Sequence, residues 1–193
     1  MTTFGFIRHG LTRWNAEGRL QGQIDIELSE EGVLQAKALA NRLSGEHWDA
    51  IVCSDLQRAA VTAKIVGKEL GISENCITAD SRLRERAFGQ LEGTTVAERI
   101  VRWGEGWSSL DLDTEQDEHL IERALDFMQW ATEHYADQKV LVVSHGGYLA
   151  LLYKALFADH KDEYLSNTSL TIATLNQTQW TKTLFNCTAH LNT

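Results

Sequence analysis

The sequence predicts an α/β fold, a single-domain three-layer sandwich with a largely parallel central sheet flanked by helices. Three observations predict it. Residues 49–54 (DAIVCS) and 139–144 (KVLVVS) are near-continuous apolar or β-branched runs, the pattern of strands covered on both faces. Helical segments alternate with the strands, as a parallel sheet requires. The 193 residues, 43% hydrophobic and 23% charged, suffice for one ordinary core.

Taken in order, residues 3–8 (TFGFIR) read as the first strand. A helix follows with Ser29 as N-cap, Glu30 and Glu31 in its first turn, Leu34, Leu39 and Leu43 on one side, and Gly45 past its end. After the second strand, 49–54, a helix is expected from about Leu56 to Leu70, stopped by Gly71. Residues 115–135 carry acids at the front and Leu120, Ala124, Phe127, Trp130 and Ala131 at helical spacing. The third strand, 139–144, precedes an apolar helix at 148–157. Residues 170–175 and 179–185 read as a closing hairpin across Asn176–Thr178.

Composition removes several function classes. Eighteen basic against 27 acidic residues give a net charge of −9, which disfavours nucleic acid as a partner. Cys53, Cys76 and Cys187 are odd in number and lack CxxC spacing, so neither a disulfide framework nor a zinc site is indicated, and a reducing cytoplasm fits. No window approaches the ~18 apolar residues of a membrane span, and the N-terminus lacks an export signal. The chain has no proline, no repeat and no low-complexity linker.

Three strands end in polar groups: Arg8 and His9, Ser54 and Asp55, Ser144 and His145. Ligands of parallel sheets gather beyond such carboxyl ends. Arg58, one helical turn past Ser54, adds a second arginine, and the planar guanidinium fork suits phosphate oxygens. A phosphoryl group is the expected guest. Gly10 lets the backbone after His9 bend so that a carbonyl can hold one ring nitrogen, leaving the other nucleophilic. A dinuclear metal centre from Asp25, Asp55 and the histidines is an alternative, though the histidines lack nearby thiolates.

The blocks RHGLTRWNAEGRLQGQIDIELSEEG, SDLQRAAVTA, LRERAFGQLEG and VSHGG resemble, in content and order, the histidine phosphatase superfamily, also called phosphoglycerate-mutase-like. The resemblance implies one domain over residues 1–193, with a variable cap at about 94–118. It implies that His9 becomes phosphorylated, that Arg8, Arg58 and a protonated His145 surround the phosphoryl oxygens, and that Glu85 is the acid/base carboxylate, with Glu92 and Asp55 as competitors. Thr12, Asn15, Gln21, Gly22 and Gly146 match positions on the phosphate or substrate side. Leu11 and Glu27 depart from the common pattern, away from the chemistry. The NTSL string at 167–170 matches a late family segment expected to lead back toward the site without a catalytic part. No cofactor and no metal are implied. The partner is a small phosphorylated metabolite, not a nucleic acid or membrane, and the chain is expected to be a monomer or homodimer.

Three functions fit this set: a phosphatase, a phosphoglycerate mutase and a non-enzymatic phospholigand-binding protein. A poised nucleophile beside an acid speaks against the last. A mutase needs a second cation cluster, yet between Gly93 and His145 there is no proline and no Arg-Arg pair, and SSLDLDTEQDE is acidic. Arg99 and Arg102 remain as substitutes. Trp103 and Trp107, one turn apart, either stack on substrate or pack in the core. The reading is therefore a phosphomonoester hydrolase.

Overall fold

The computed structural model describes residues 1–158, 160 and 162–191. Six strands form one sheet: β1 (Thr2–Arg8), β2 (Ala50–Cys53), β3 (Ile77–Ala79), β4 (Lys139–Ser144), β5 (Leu170–Asn176) and β6 (Gln179–Cys187). Their order is β3-β2-β4-β1-β5-β6, with the first four parallel and β5 and β6 antiparallel. The helices are α1 (Arg13–Ala16), α2 (Glu30–Leu43), α3 (Gln57–Glu69), α4 (Val96–Trp103), α5 (Asp117–His134) and α6 (Gly146–Leu156).

Both sheet faces are buried, which is why the central strands are apolar throughout. Phe4, Phe6, Val140 and Val142 point into a core shared with Phe127 of α5 and Tyr148 and Tyr153 of α6. Ile7, Leu141 and Val143 point the other way, against Leu39, Leu43, Ala59 and Ala63 of α2 and α3. Gly5 makes room on that second face: a Cβ there would meet Trp48 at 2.8 Å and Leu141 at 2.7 Å.

The structure departs from the sequence reading at three places. Leu34 is 64% exposed, because it lies five residues from Leu39 and hence far round the helix; Ala36, Leu39, Ala40 and Leu43 form the buried stripe instead. The apolar helix begins two residues early, at Gly146, directly behind His145. β3 was not expected, since its three residues are too few to show periodicity. The hairpin falls as anticipated, with Gln177 at φ 55° in its turn.

Topology sets the position of the site. β1 and β4 are neighbours with Arg8 opposite Ser144, and β2 lies beside β4 with Cys53 opposite Val143. Chain leaving β1 runs through α2 to β2 on one side, whereas chain leaving β4 runs through α6 to β5 on the other. The connections diverge there, opening a crevice at the strand ends of the kind in which parallel sheets bind ligands.

Candidate active site

His9 and His145 step off adjacent strands, and their rings lie 5.1 Å apart between centroids, tilted by 58°. The His9 N–H donates to the Ser144 carbonyl at 3.0 Å, fixing the bend out of β1. Its Nδ1 lies 2.7 Å from the Gly10 carbonyl. A carbonyl only accepts, so Nδ1 carries the proton and Nε2 keeps its lone pair. Gly10 is required by close approach, because a Cβ would stand 2.5 Å from the Gly32 carbonyl at the start of α2.

Burial, reinforced by Arg58 and then Arg8, holds the His9 imidazole well below its ordinary pKa, so it is neutral and nucleophilic around pH 7. The same is true of His145, through burial, Arg58, His9 and Arg8 in that order. Burial and the surrounding cations thus favour the neutral His145 ring, so the protonation expected beside phosphoryl oxygens is one that an arriving anion has to bring.

The two arginines are held by backbone carbonyls rather than by carboxylates. Arg58 donates to the carbonyls of Gly22 at 2.6 Å and Ile24 at 3.0 Å, and Arg8 donates to that of Leu165. Burial lowers the Arg58 guanidinium to about 10, still cationic at neutrality. Among the described residues, no hydrogen-bond partner reaches Arg8 Nε, Arg58 Nε or either ring nitrogen of His145. Buried polar atoms rarely go unpaired in folded proteins, and four together, two of them guanidinium donors, mark an anion site.

Glu85 closes the opposite wall. Its Oε1 accepts from the N–H groups of Tyr148 (2.8 Å) and Arg86 (2.9 Å), and Oε2 accepts from that of Gly147 (3.0 Å). The carboxylate thus caps the first turn of α6, where the helix dipole favours it, and Oε2 retains a free lone pair. Arg123 pins the preceding backbone through the carbonyls of Arg82 (2.7 Å) and Arg84 (2.8 Å). Ser144 Oγ donates to the Leu83 carbonyl at 2.8 Å, tying that turn to β4.

The competitors for the acid role are engaged elsewhere. Asp55 binds Arg84 through two contacts of 2.7 and 2.6 Å. Glu92 accepts from the N–H groups of Gln23, Ile24 and Phe88, clamping the 21–24 loop. A Cβ on Gly22, where φ is +56°, would fall 1.9 Å from Glu92 Oε1, so this turn requires glycine.

A cavity of about 290 Å³ is lined by Arg8, His9, Asn15, Gln21, Gly22, Arg58, Glu85 and Gly146, all singled out from sequence. Gly146 leaves space for the Arg8 guanidinium, whose Nε would stand 3.2 Å from an added Cβ. Two predicted residues do not line it. His145 is wholly buried against His9. Thr12 is the N-cap of α1; its Oγ1 accepts from the Asn15 N–H at 3.1 Å and donates to Gln21 Oε1 at 2.9 Å, leaving the Gln21 amide nitrogen for the cavity. Thr12 orders the loop and does not line the cavity.

Sequence reasoning missed other parts of the wall. Arg19, Leu20 and Phe88 lie inside the blocks that carry the resemblance but at positions that signal no role by themselves, whereas Glu163, Tyr164 and Leu165 belong to a stretch with no motif. Asn167, in the NTSL string expected to lead back toward the site without a catalytic part, does reach it. Its Nδ2 donates to the His9 carbonyl at 3.0 Å and approaches Asn15 Oδ1 at 3.3 Å. Among the described residues no cluster of His, Cys, Asp or Glu is arranged to hold a metal, and Asp25 accepts from the Gln57 N–H instead. No described helix is long and apolar enough to cross a membrane.

A neutral histidine among buried guanidinium groups, faced by a carboxylate at a strand-end crevice, defines an α/β phosphoryl-transfer enzyme. The model of the histidine phosphatase superfamily (branch 1) matches residues 4–188, and the chain belongs to that family. It is 32% identical to a metal-independent phosphoserine phosphatase of Arabidopsis thaliana, over all of this chain and 84% of the relative. It is 34% identical to the glucosyl-3-phosphoglycerate phosphatase of Mycobacterium tuberculosis, over 78% of this chain and 73% of that one. Among solved structures, YhfR of Bacillus stearothermophilus superposes with a TM-score of 0.88 at 30% identity, covering 99% of this chain and all of the other. The protein is a phosphoric monoester hydrolase.

Proposed function

We propose that the enzyme hydrolyses a small phosphorylated metabolite through a phosphohistidine on His9. Nε2 attacks phosphorus as the ester P–O bond breaks, and the departing alkoxide takes the proton that Glu85, entering the cycle in its acid form, carries on Oε2. The carboxylate then removes a proton from water, whose oxygen displaces the imidazole from phosphorus; inorganic phosphate leaves and His9 returns to its neutral form. Arg8 and Arg58 stabilise charge on the phosphoryl oxygens, with His145 joining them once the anion brings it a proton. Residues around 94–118 act as a cap over the organic part of the substrate. The unpaired cysteines support placement in a reducing cytoplasm.

The observation that carries this reading is the set of four buried, unpartnered polar atoms around a neutral imidazole whose tautomer is fixed. Rapid-quench incubation with a ³²P-labelled monoester tests it. Acid-labile, base-stable label on His9 is expected, absent from His9→Ala, together with a fall in kcat/KM of roughly 10⁴-fold. Wild type without label, or His9→Ala with undiminished label, overturns it. With 3-phosphoglycerate and 2,3-bisphosphoglycerate supplied together, phosphate release is expected to exceed conversion to 2-phosphoglycerate; the reverse establishes a mutase.

A further inference from the structure

A second cavity of about 640 Å³ adjoins the first, sharing Leu20 and Phe88 as its walls. Arg99 of α4 lines it. The residue is only 6% exposed, and its guanidinium stacks 4.9 Å above the ring of Trp107. Nε donates to Thr94 Oγ1 at 2.9 Å and one terminal nitrogen to the Thr94 carbonyl at 2.8 Å. Among the described residues no carboxylate pairs with it. Its neighbour Glu98 is taken by Arg19, at 2.7 and 3.0 Å. A buried cation whose nearby carboxylate, Glu98, is bonded to another arginine is costly unless something completes it.

The acids of 105–118 do not fill that need. Glu115 binds Arg123 and the Ala87 N–H, Asp117 binds Arg86, and Asp113 accepts from Gln90. Asp111 alone faces the cavity, from an exposed position. Arg99 covers a face of Trp107, so that face is closed to a sugar ring and the guanidinium is what it presents to a ligand.

We propose that Arg99 binds a carboxylate on the organic part of the substrate, making the substrate class phosphomonoesters of hydroxy acids or other carboxylates. This rests on the phosphatase reading, with the phosphoryl group seated at His9 and the chain of the substrate passing between Leu20 and Phe88. The planar fork of Arg99 suits a carboxylate, and Trp107 holds it in place.

Binding separates this inference from the chemistry. Calorimetry on the His9→Ala protein compares 3-phosphoglycerate with glycerol 3-phosphate, and 6-phosphogluconate with glucitol 6-phosphate, two pairs of different reach in which CH₂OH replaces the carboxylate. At least one carboxylate is expected to bind about tenfold or more tighter than its partner. That ratio should collapse to within twofold on adding Arg99→Met and be partly retained with Arg99→Lys. Equal affinity within both pairs, or a ratio unchanged in Arg99→Met, overturns the carboxylate subsite. Should Arg99→Met fail to fold, the ratios in the His9→Ala protein and in its Arg99→Lys derivative decide. Selective binding by a protein that neither labels His9 nor releases phosphate overturns the phosphatase reading alone.

Discussion

The arginines at the strand-end crevice and those of the loops and helix outside it live under opposite rules. Arg8 and Arg58 are buried, held by carbonyls, and each keeps an Nε without a partner. Arg82, Arg84 and Arg123 are partly exposed and neutralised by Asp80 with Asp126, by Asp55, and by Glu115. The outer set ties loops together; exposed ion pairs of this sort contribute little each. The inner set keeps its charge for an incoming anion, and its desolvation is a cost that the fold bears until one binds. Residue type alone does not distinguish the two sets; the presence of a carboxylate partner does.

The comparison is tested most strongly at the acid. Glu85→Gln is expected to lower kcat/KM on alkyl phosphates by roughly 10³-fold and on activated aryl phosphates far less, because a phenolate leaves without protonation. Equal losses in a steady-state comparison of the two substrate classes remove the acid role from Glu85.

Next in size is a matched pair of conservative changes. Arg58→Lys keeps the charge but loses contacts to two carbonyls 34 and 36 residues away in sequence, and turnover is expected to fall about 10²-fold. Arg84→Lys, in the exposed pair with Asp55, should stay within about twofold. Similar losses in both variants would erase the distinction drawn between inner and outer arginines.

A smaller effect is expected at Asn167, which touches His9 only through its carbonyl. Asn167→Ala should reduce kcat about tenfold while KM changes less, since the nucleophile is misaimed and the arginines remain. A rise in KM with unaltered kcat would make Asn167 a substrate contact instead.

The mildest test is pH. His9 and His145 are held neutral in the folded protein, with pKa values below the unfolded value of about 6.5. Between those limits the unfolded chain binds more protons, so stability is complete above about pH 6.5 and falls as pH drops toward the folded values. The slope approaches about 1.4 kcal/mol per pH unit for each group. Urea midpoints at pH 7.5, 6 and 5 measure it, and saturating phosphate should offset part of the loss. Stability that is flat over this window would mean that burial and the inner cations do not hold the two rings neutral.

Much of this was legible in the sequence. Apolar strands covered on both faces gave the sheet and its layers, Ser29 capped α2 as expected by accepting from Gly32 at 3.0 Å, and polar strand endings named His9, His145 and the crevice. Gly10 signalled the carbonyl that orients His9. These are local facts, written in neighbouring residues through periodicity, capping and turn chemistry. The tertiary structure decided what depends on groups distant in sequence: that Thr12 is bonded to Gln21 and does not line the cavity, that Asp55 is spent on Arg84, that Asn167 holds a histidine 158 residues away, and that Arg99 has no carboxylate hydrogen-bonded to it among the described residues. Charge and polarity are properties of a residue, but whether they are satisfied is a property of its neighbours, and the fold chooses those.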